Sequence, residues 1–103
     1  MKLEKSFENQ KVIVSFEGYF TQTELKNMKE LLNDCLKYKD IKDFVFDMKN
    51  VPFINSSGLG CLMFAYKTLK GAGNGFVLKG VNHQVKSVLK LTRLEKIIPV
   101  YEN

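Results

Sequence analysis

Two adjacent hydroxyls, Ser56 and Ser57, stand between Asn55 and Gly58 at the point where an apolar run gives way to a helical pattern. Asn55, Ser56 and Ser57 can each accept a hydrogen bond from the unpaired amides of a helix's first turn, so any of the three can serve as its N-cap. A helix N-terminus carries a partial positive charge and free N–H groups that stabilise an anion. A hydroxyl at that spot is therefore a candidate phosphate carrier, while a plain serine cap is the alternative that residue types alone leave open. Gly58 and Gly60 let another chain come close.

The remaining reactive side chains offer less. His83 is the only histidine, so no histidine-based metal cluster can be assembled and a catalytic triad would have to run through that one ring. Its position is that of an exposed residue in the first turn of a helix. Cys35 and Cys61 fall in two different apolar helical patterns, which reads as buried small hydrophobes rather than a disulfide or metal pair. Asp47 is the only acid near the loop, no Walker pattern follows a strand, and no paired carboxylates share a plausible cleft. Neither an enzyme nor a bound cofactor or metal is expected.

Composition narrows the partners. The chain has 103 residues and is 45% hydrophobic, enough for one domain with a single core. The net charge of +5 raises nucleic acid as a partner, but fifteen of the sixteen basic residues are lysines scattered along the chain and Arg93 is the sole arginine. Arginine is the better reader of phosphate forks and guanine edges, so a solvated lysine surface is the expectation, without direct nucleic-acid binding. No apolar run approaches a membrane span, and Met1 to Lys5 lacks the apolar core of a signal peptide. A cytoplasmic protein with no membrane contact is expected.

The elements that would position the serines follow from periodicity. Leu3 to Phe7 and Lys11 to Glu17 flank a polar break of hairpin length, and Val12, Val14 and Phe16 alternate with polar neighbours as one inward strand face. After Gly18, Thr21 or Thr23 can cap a helix from Glu24 to about Lys37, whose apolar stripe is Leu25, Met28, Leu31, Leu32, Cys35 and Leu36. Phe44 to Met48 suits a buried parallel strand. Beyond the serines, Leu59, Leu62, Met63, Tyr66 and Leu69 predict a helix face turned to the sheet, ending at Gly71, Gly73 and Gly75. Phe76 to Lys79 reads as a further strand. Asn82 then caps a helix carrying Val85, Val88, Leu89 and Leu91, and Leu94 to Val100 leads into a last edge segment, where Pro99 suits an edge. Alternating strands and helices call for an α/β fold with a mostly parallel sheet opened by an antiparallel hairpin strand. In such sheets function gathers outside the carboxyl ends of the strands, where Asn55 to Gly58 would lie.

The string Pro52-Phe53-Ile54-Asn55-Ser56-Ser57-Gly58-Leu59-Gly60 resembles the signature loop of the STAS domain, specifically of bacterial anti-sigma factor antagonists, where it usually reads hydrophobic-Asp-Ser-Ser/Ala-Gly-Leu-Gly. The likeness covers nearly the whole chain, through the helix ending Tyr66 to Lys70, the turn Gly71 to Gly75, the strand Phe76 to Leu78 and the segment Val85 to Ile98. It implies a STAS fold: a mostly parallel sheet of four to five strands in the order ββαβαβαβ, with helices packed against it. It also implies a phosphorylation-switched binding module that sequesters an anti-sigma factor serine kinase and so releases a sigma factor, with a serine phosphatase to reset it. Ser56 matches the family's phosphorylated serine, leaving Ser57 as the expected cap. Thr21, Asn55, Ser56, Ser57, Gly58 and Leu59 match the partner-binding positions. Two residues depart from the pattern: Asn55 stands where the family usually has Asp, and Thr21 where it often has Asp. The alternative is a STAS scaffold or accessory subunit that is never phosphorylated, in a stress-sensing assembly or on a transporter. A monomer or weak dimer is expected.

Overall fold

A computed structural model describes residues 2–19, 22–38 and 40–102. Its elements are β1 (Lys2–Glu8), β2 (Lys11–Glu17), α1 (Gln22–Leu36), β3 (Asp43–Asn50), α2 (Ser56–Gly71), β4 (Gly75–Lys79), α3 (His83–Leu91) and a short 3-10 turn (Leu94–Lys96). The sheet has four strands in the order β1-β2-β3-β4, β1 antiparallel to β2 and the rest parallel. Two residues, Asn9 and Gln10, turn the hairpin, with Asn9 at a φ of 57° that asparagine tolerates better than most side chains. The last segment is shorter than a strand. Val100 makes a single bridge to Leu78, and Pro99, which has no N–H, contributes its carbonyl to the Leu78 N–H at 2.9 Å.

Each parallel step, β2 to β3 and β3 to β4, moves the same way across the sheet, and right-handed crossovers then put the helices on one face. The strand residues bear this out. Val12, Val14, Phe16, Phe44, Phe46, Met48, Phe76 and Leu78 are buried in one cluster with Met28, Leu32, Leu62, Leu69, Val85 and Leu89 of the three helices. Phe46 sits edge-on between Phe16 and Phe76, with ring centroids 4.9 and 4.6 Å away, an arrangement that pairs positive ring edges with negative faces. Ile13 and Val77, on the opposite face, are only half-buried.

The deepest stripe of α2 is Gly58, Cys61, Leu62, Ala65 and Leu69, whereas Leu59, Met63 and Tyr66 are half-buried at its margins. The expected face is thus turned toward the small residues, because α2 packs beside α1 as well as on the sheet and needs low side chains at that contact. In α3, Val85 and Leu89 are buried and Val88 half-buried as expected, but Leu91 is 83% exposed, at the last residue of the helix and off the stripe those residues define. Thr23 lies inside α1 and is not its cap. Gly73, at a φ of 81°, stops α2: its own N–H and that of Asn74 return to the carbonyls of Lys70 and Leu69.

Candidate functional site

Five residues, 51–55, carry the chain from the carboxyl end of β3 to α2. Val51 and Ile54 are buried and fix the path, leaving Pro52, Phe53 and Asn55 at the surface. Asn55 is extended (φ −109°, ψ −173°), and its Oδ1 accepts the Gly58 N–H at 3.0 Å while its carbonyl accepts the Leu59 N–H at 2.9 Å. Asn55 is therefore the N-cap of α2. Ser57, the expected cap, is instead the second helical residue: its backbone is already wound, and the N–H three residues after Asn55 has been taken by the asparagine oxygen.

Ser56 is the first residue of α2 and is exposed, with its hydroxyl bonded to no described residue. Ser57 is half-buried and lines a cleft of about 430 Å³ between α1 and α2 with Leu25, Lys29, Gly60, Cys61 and Phe64. The Lys29 ammonium lies 5.4 Å from the Phe64 ring centre at this cleft, within cation–π range. Gly58 is buried and Leu59 half-buried. One and a half turns of chain thus bring together Asn55, Ser56, Ser57, Gly58 and Leu59, whereas Thr21 lies outside the described residues.

The loop is braced by two features that sequence reading did not single out. Asn82 caps α3 by accepting the Val85 N–H at 2.8 Å, and its Nδ2 also donates to the carbonyls of Pro52 at 2.8 Å and Val51 at 3.4 Å. Phe53 lies against Tyr19, with ring centres 4.7 Å apart, and the two remain 40% and 51% exposed. The Asn82 brace left no local signal, since its partners are about thirty residues away in sequence.

The other reactive groups are occupied or closed off. Asp47 is buried, accepting the Lys49 N–H at 3.2 Å with the Lys49 ammonium 3.9 Å from its other oxygen, so it serves local structure. Burial pushes both thiols up, aided at Cys61 by the Glu24 charge and at Cys35 by Asp34 against Lys5, and thiols held up in this way stay protonated and unreactive at neutral pH. Among the described residues no group of three His, Cys, Asp or Glu could hold a metal ion, and no helix is long and apolar enough to cross a membrane.

The STAS domain family model matches residues 2–103, which takes in the hairpin, the parallel sheet and the whole of the loop that leads to Ser56. The chain belongs to the STAS domain family. The anti-sigma F factor antagonist of Paenibacillus polymyxa is 27% identical to it over 92 residues, spanning 89% of this chain and 79% of that one. Two solved structures share the STAS fold seen here. One is a sulfate transporter family protein from Wolinella succinogenes, with a TM-score of 0.81, 19% identity, and coverage of 96% of this chain and 82% of that one. The other is an anti-sigma-factor antagonist (STAS) domain protein from Planctomyces limnophilus, with a TM-score of 0.79, 22% identity, and coverage of 98% and 90%. This STAS domain is thus antagonist-like in sequence, on a fold that transporters also use.

Proposed function

We propose that this STAS domain is a phosphorylation-switched anti-sigma factor antagonist, working in the cytoplasm as a binding module and not as an enzyme. Unphosphorylated, it sequesters an anti-sigma factor that is also a serine kinase and so releases a sigma factor. The kinase modifies Ser56, and a serine phosphatase reverses the change. The observation that carries this reading is the exposed, unbonded Ser56 hydroxyl one residue after the Asn55 cap. A phosphate there would add about −1.5 to −2 charge beside the positive end of α2, which tolerates it, while spoiling a contact surface built for a neutral hydroxyl. Asn55, Ser57, Gly58 and Leu59 form the rest of the docking surface, with Thr21.

The test is incubation with the source cell's anti-sigma factor kinase and ATP, followed by intact-mass measurement and peptide mapping. One phosphate on Ser56 is expected, and none on a Ser56→Ala protein that still binds the kinase. Phosphate on Ser57, or none on the wild type, overturns the switch.

A second reading, a scaffold or accessory subunit that is never phosphorylated, is favoured by one residue. Asn55 lacks the charge that antagonist loops usually carry at that position. Under it the loop is an assembly surface, and the wild-type mass stays unchanged in the same incubation.

A further inference from the structure

The two edges of the sheet are finished differently. Beside β4 the C-terminal segment closes the edge, with the Leu78 N–H donating to the Pro99 carbonyl, the Tyr101 N–H to the Leu78 carbonyl and the Val81 N–H to the Tyr101 carbonyl. Beside β1 no described backbone group does the same. The register says which groups are left over. Gln10 and Gly18 bond toward β3, so the even-numbered residues of β2 face β3 and the odd-numbered ones face β1. The β1 residues opposite Lys11, Ile13, Ser15 and Glu17 are Glu8, Ser6, Glu4 and Lys2. The N–H and C=O groups of Leu3, Lys5 and Phe7 therefore point outward, an open template for another strand.

We infer that β1 pairs antiparallel with β1 of a second copy about a two-fold axis at Lys5, making a continuous eight-stranded sheet. The strand Lys2-Leu3-Glu4-Lys5-Ser6-Phe7-Glu8 is self-complementary in that register. Lys2 comes opposite Glu8, Leu3 opposite Phe7 and Glu4 opposite Ser6, each twice, and only Lys5 meets its like. The outward groups of residues 3, 5 and 7 then meet those of 7, 5 and 3, as an antiparallel ladder requires. Sliding the copies by two residues in either direction keeps the ladder but sets Glu4 against Glu4 or Glu8 and puts Lys5 opposite an apolar residue. Phe7, which is 57% exposed on the helix-bearing face with the Tyr38 ring edge-on at 5.9 Å, gains Leu3 of the copy as a cover. Charged residues on an edge strand commonly discourage pairing, and here the same charges select one partner and one register. Because the copies' parallel strands run in opposite directions, their Ser56 loops lie at opposite ends of the joined sheet and both stay free.

Sedimentation from micromolar to millimolar protein tests the pairing. The wild type is expected to shift from monomer to dimer, Phe7→Lys to remain monomeric, and Lys5→Thr, which removes the one like-charge pair, to associate roughly threefold more tightly. Register is tested by Lys5→Cys in a Cys35→Ala background, needed because Lys5 lies near Cys35. With oxidised glutathione this protein is expected to form a disulfide-linked dimer, since a hydrogen-bonded pair places its Cα atoms about 5.5 Å apart, within disulfide reach. Ser6→Cys in the same background, which lies opposite Glu4 of the copy, is expected to form no disulfide-linked dimer. A wild type that remains monomeric throughout, a dimer indifferent to Phe7→Lys, or equal cross-linking at positions 5 and 6 overturns the inference. None of these outcomes bears on the phosphorylation of Ser56.

Discussion

Helices α2 and α3 begin alike: an asparagine in extended conformation, Asn55 or Asn82, accepts through Oδ1 the N–H three residues on. They differ in what surrounds the cap. At α3 the amide nitrogen is also used, tying the helix to the carbonyls of Val51 and Pro52, and the first helical residues are His83 and Gln84. At α2 the amide nitrogen bonds no described residue, and the next two residues carry hydroxyls. The same local solution thus makes a strut at one helix and leaves an unfinished surface at the other. A cap with spare capacity beside an exposed hydroxyl is what a reversible partner can read, and a cap with none is what holds that surface in place.

The contrast is most exposed to failure at the residue after each cap. Ser56→Asp should weaken binding to the anti-sigma partner, because an anion pressed into a contact without a matching cation loses solvation that it does not recover. A net penalty of roughly 3 kcal/mol corresponds to about a hundredfold in affinity. His83→Asp, the same charge one residue after the other cap, should leave the affinity unchanged. Titration of the partner with both proteins compares them directly, and equal losses would mean that overall charge, not the α2 loop, governs docking.

Next in size is the strut. Asn82→Ala removes a cap and the tie to the loop, together worth about 2 kcal/mol, or on the order of 10 °C in Tm for a domain of this length. Asn55→Ala removes a cap alone, worth about 1 kcal/mol and correspondingly fewer degrees. Calorimetry on the two variants measures the difference. If Asn55→Ala proved the more damaging, the brace from α3 would carry no weight and the two caps would have to be reassigned.

These roles were unequally visible in the sequence, and the reason is the range over which each acts. The alternation Val12, Val14, Phe16 and the apolar run Phe44 to Met48 state their burial locally, so the strands and their inward face could be read directly. The α2 face was read from its large residues, whereas burial there also follows Gly58, Cys61 and Ala65, whose small size matters only once α1 is beside them. The junction of β3 with α2 was legible because a strand end, a run of capping residues and a helical period meet within ten residues. The choice of cap was not, since Asn55, Ser56 and Ser57 have similar capping chemistry and differ only in where the backbone turns helical. The Asn82 tie and the Tyr19–Phe53 pair join segments about thirty residues apart, for which a single sequence holds no pattern.

The smallest expected effect is also the most specific test of the α2 cap. Asn55→Asp preserves the shape of the side chain and the oxygen that accepts the Gly58 N–H, exchanging the unbonded amide nitrogen for a second carboxylate oxygen. Negative charge at a helix N-terminus stabilises it by about 0.3–1 kcal/mol, so Tm should rise by a few degrees at most. The functional consequence is separable from that gain. If the partner reads this cap, a charge next to Ser56 should alter the rate of phosphate uptake or the affinity for the kinase, while Asn82→Asp, whose Nδ2 donates to two carbonyls that a carboxylate would repel, should lower Tm and leave the chemistry at Ser56 alone. Phosphorylation kinetics alongside thermal melts distinguish the two. A carboxylate at position 55 that raises Tm without changing either rate or affinity would mean that the partner touches Ser56 but not its cap, and the docking surface would then have to be drawn on the Ser57, Gly58 and Leu59 side of the serine.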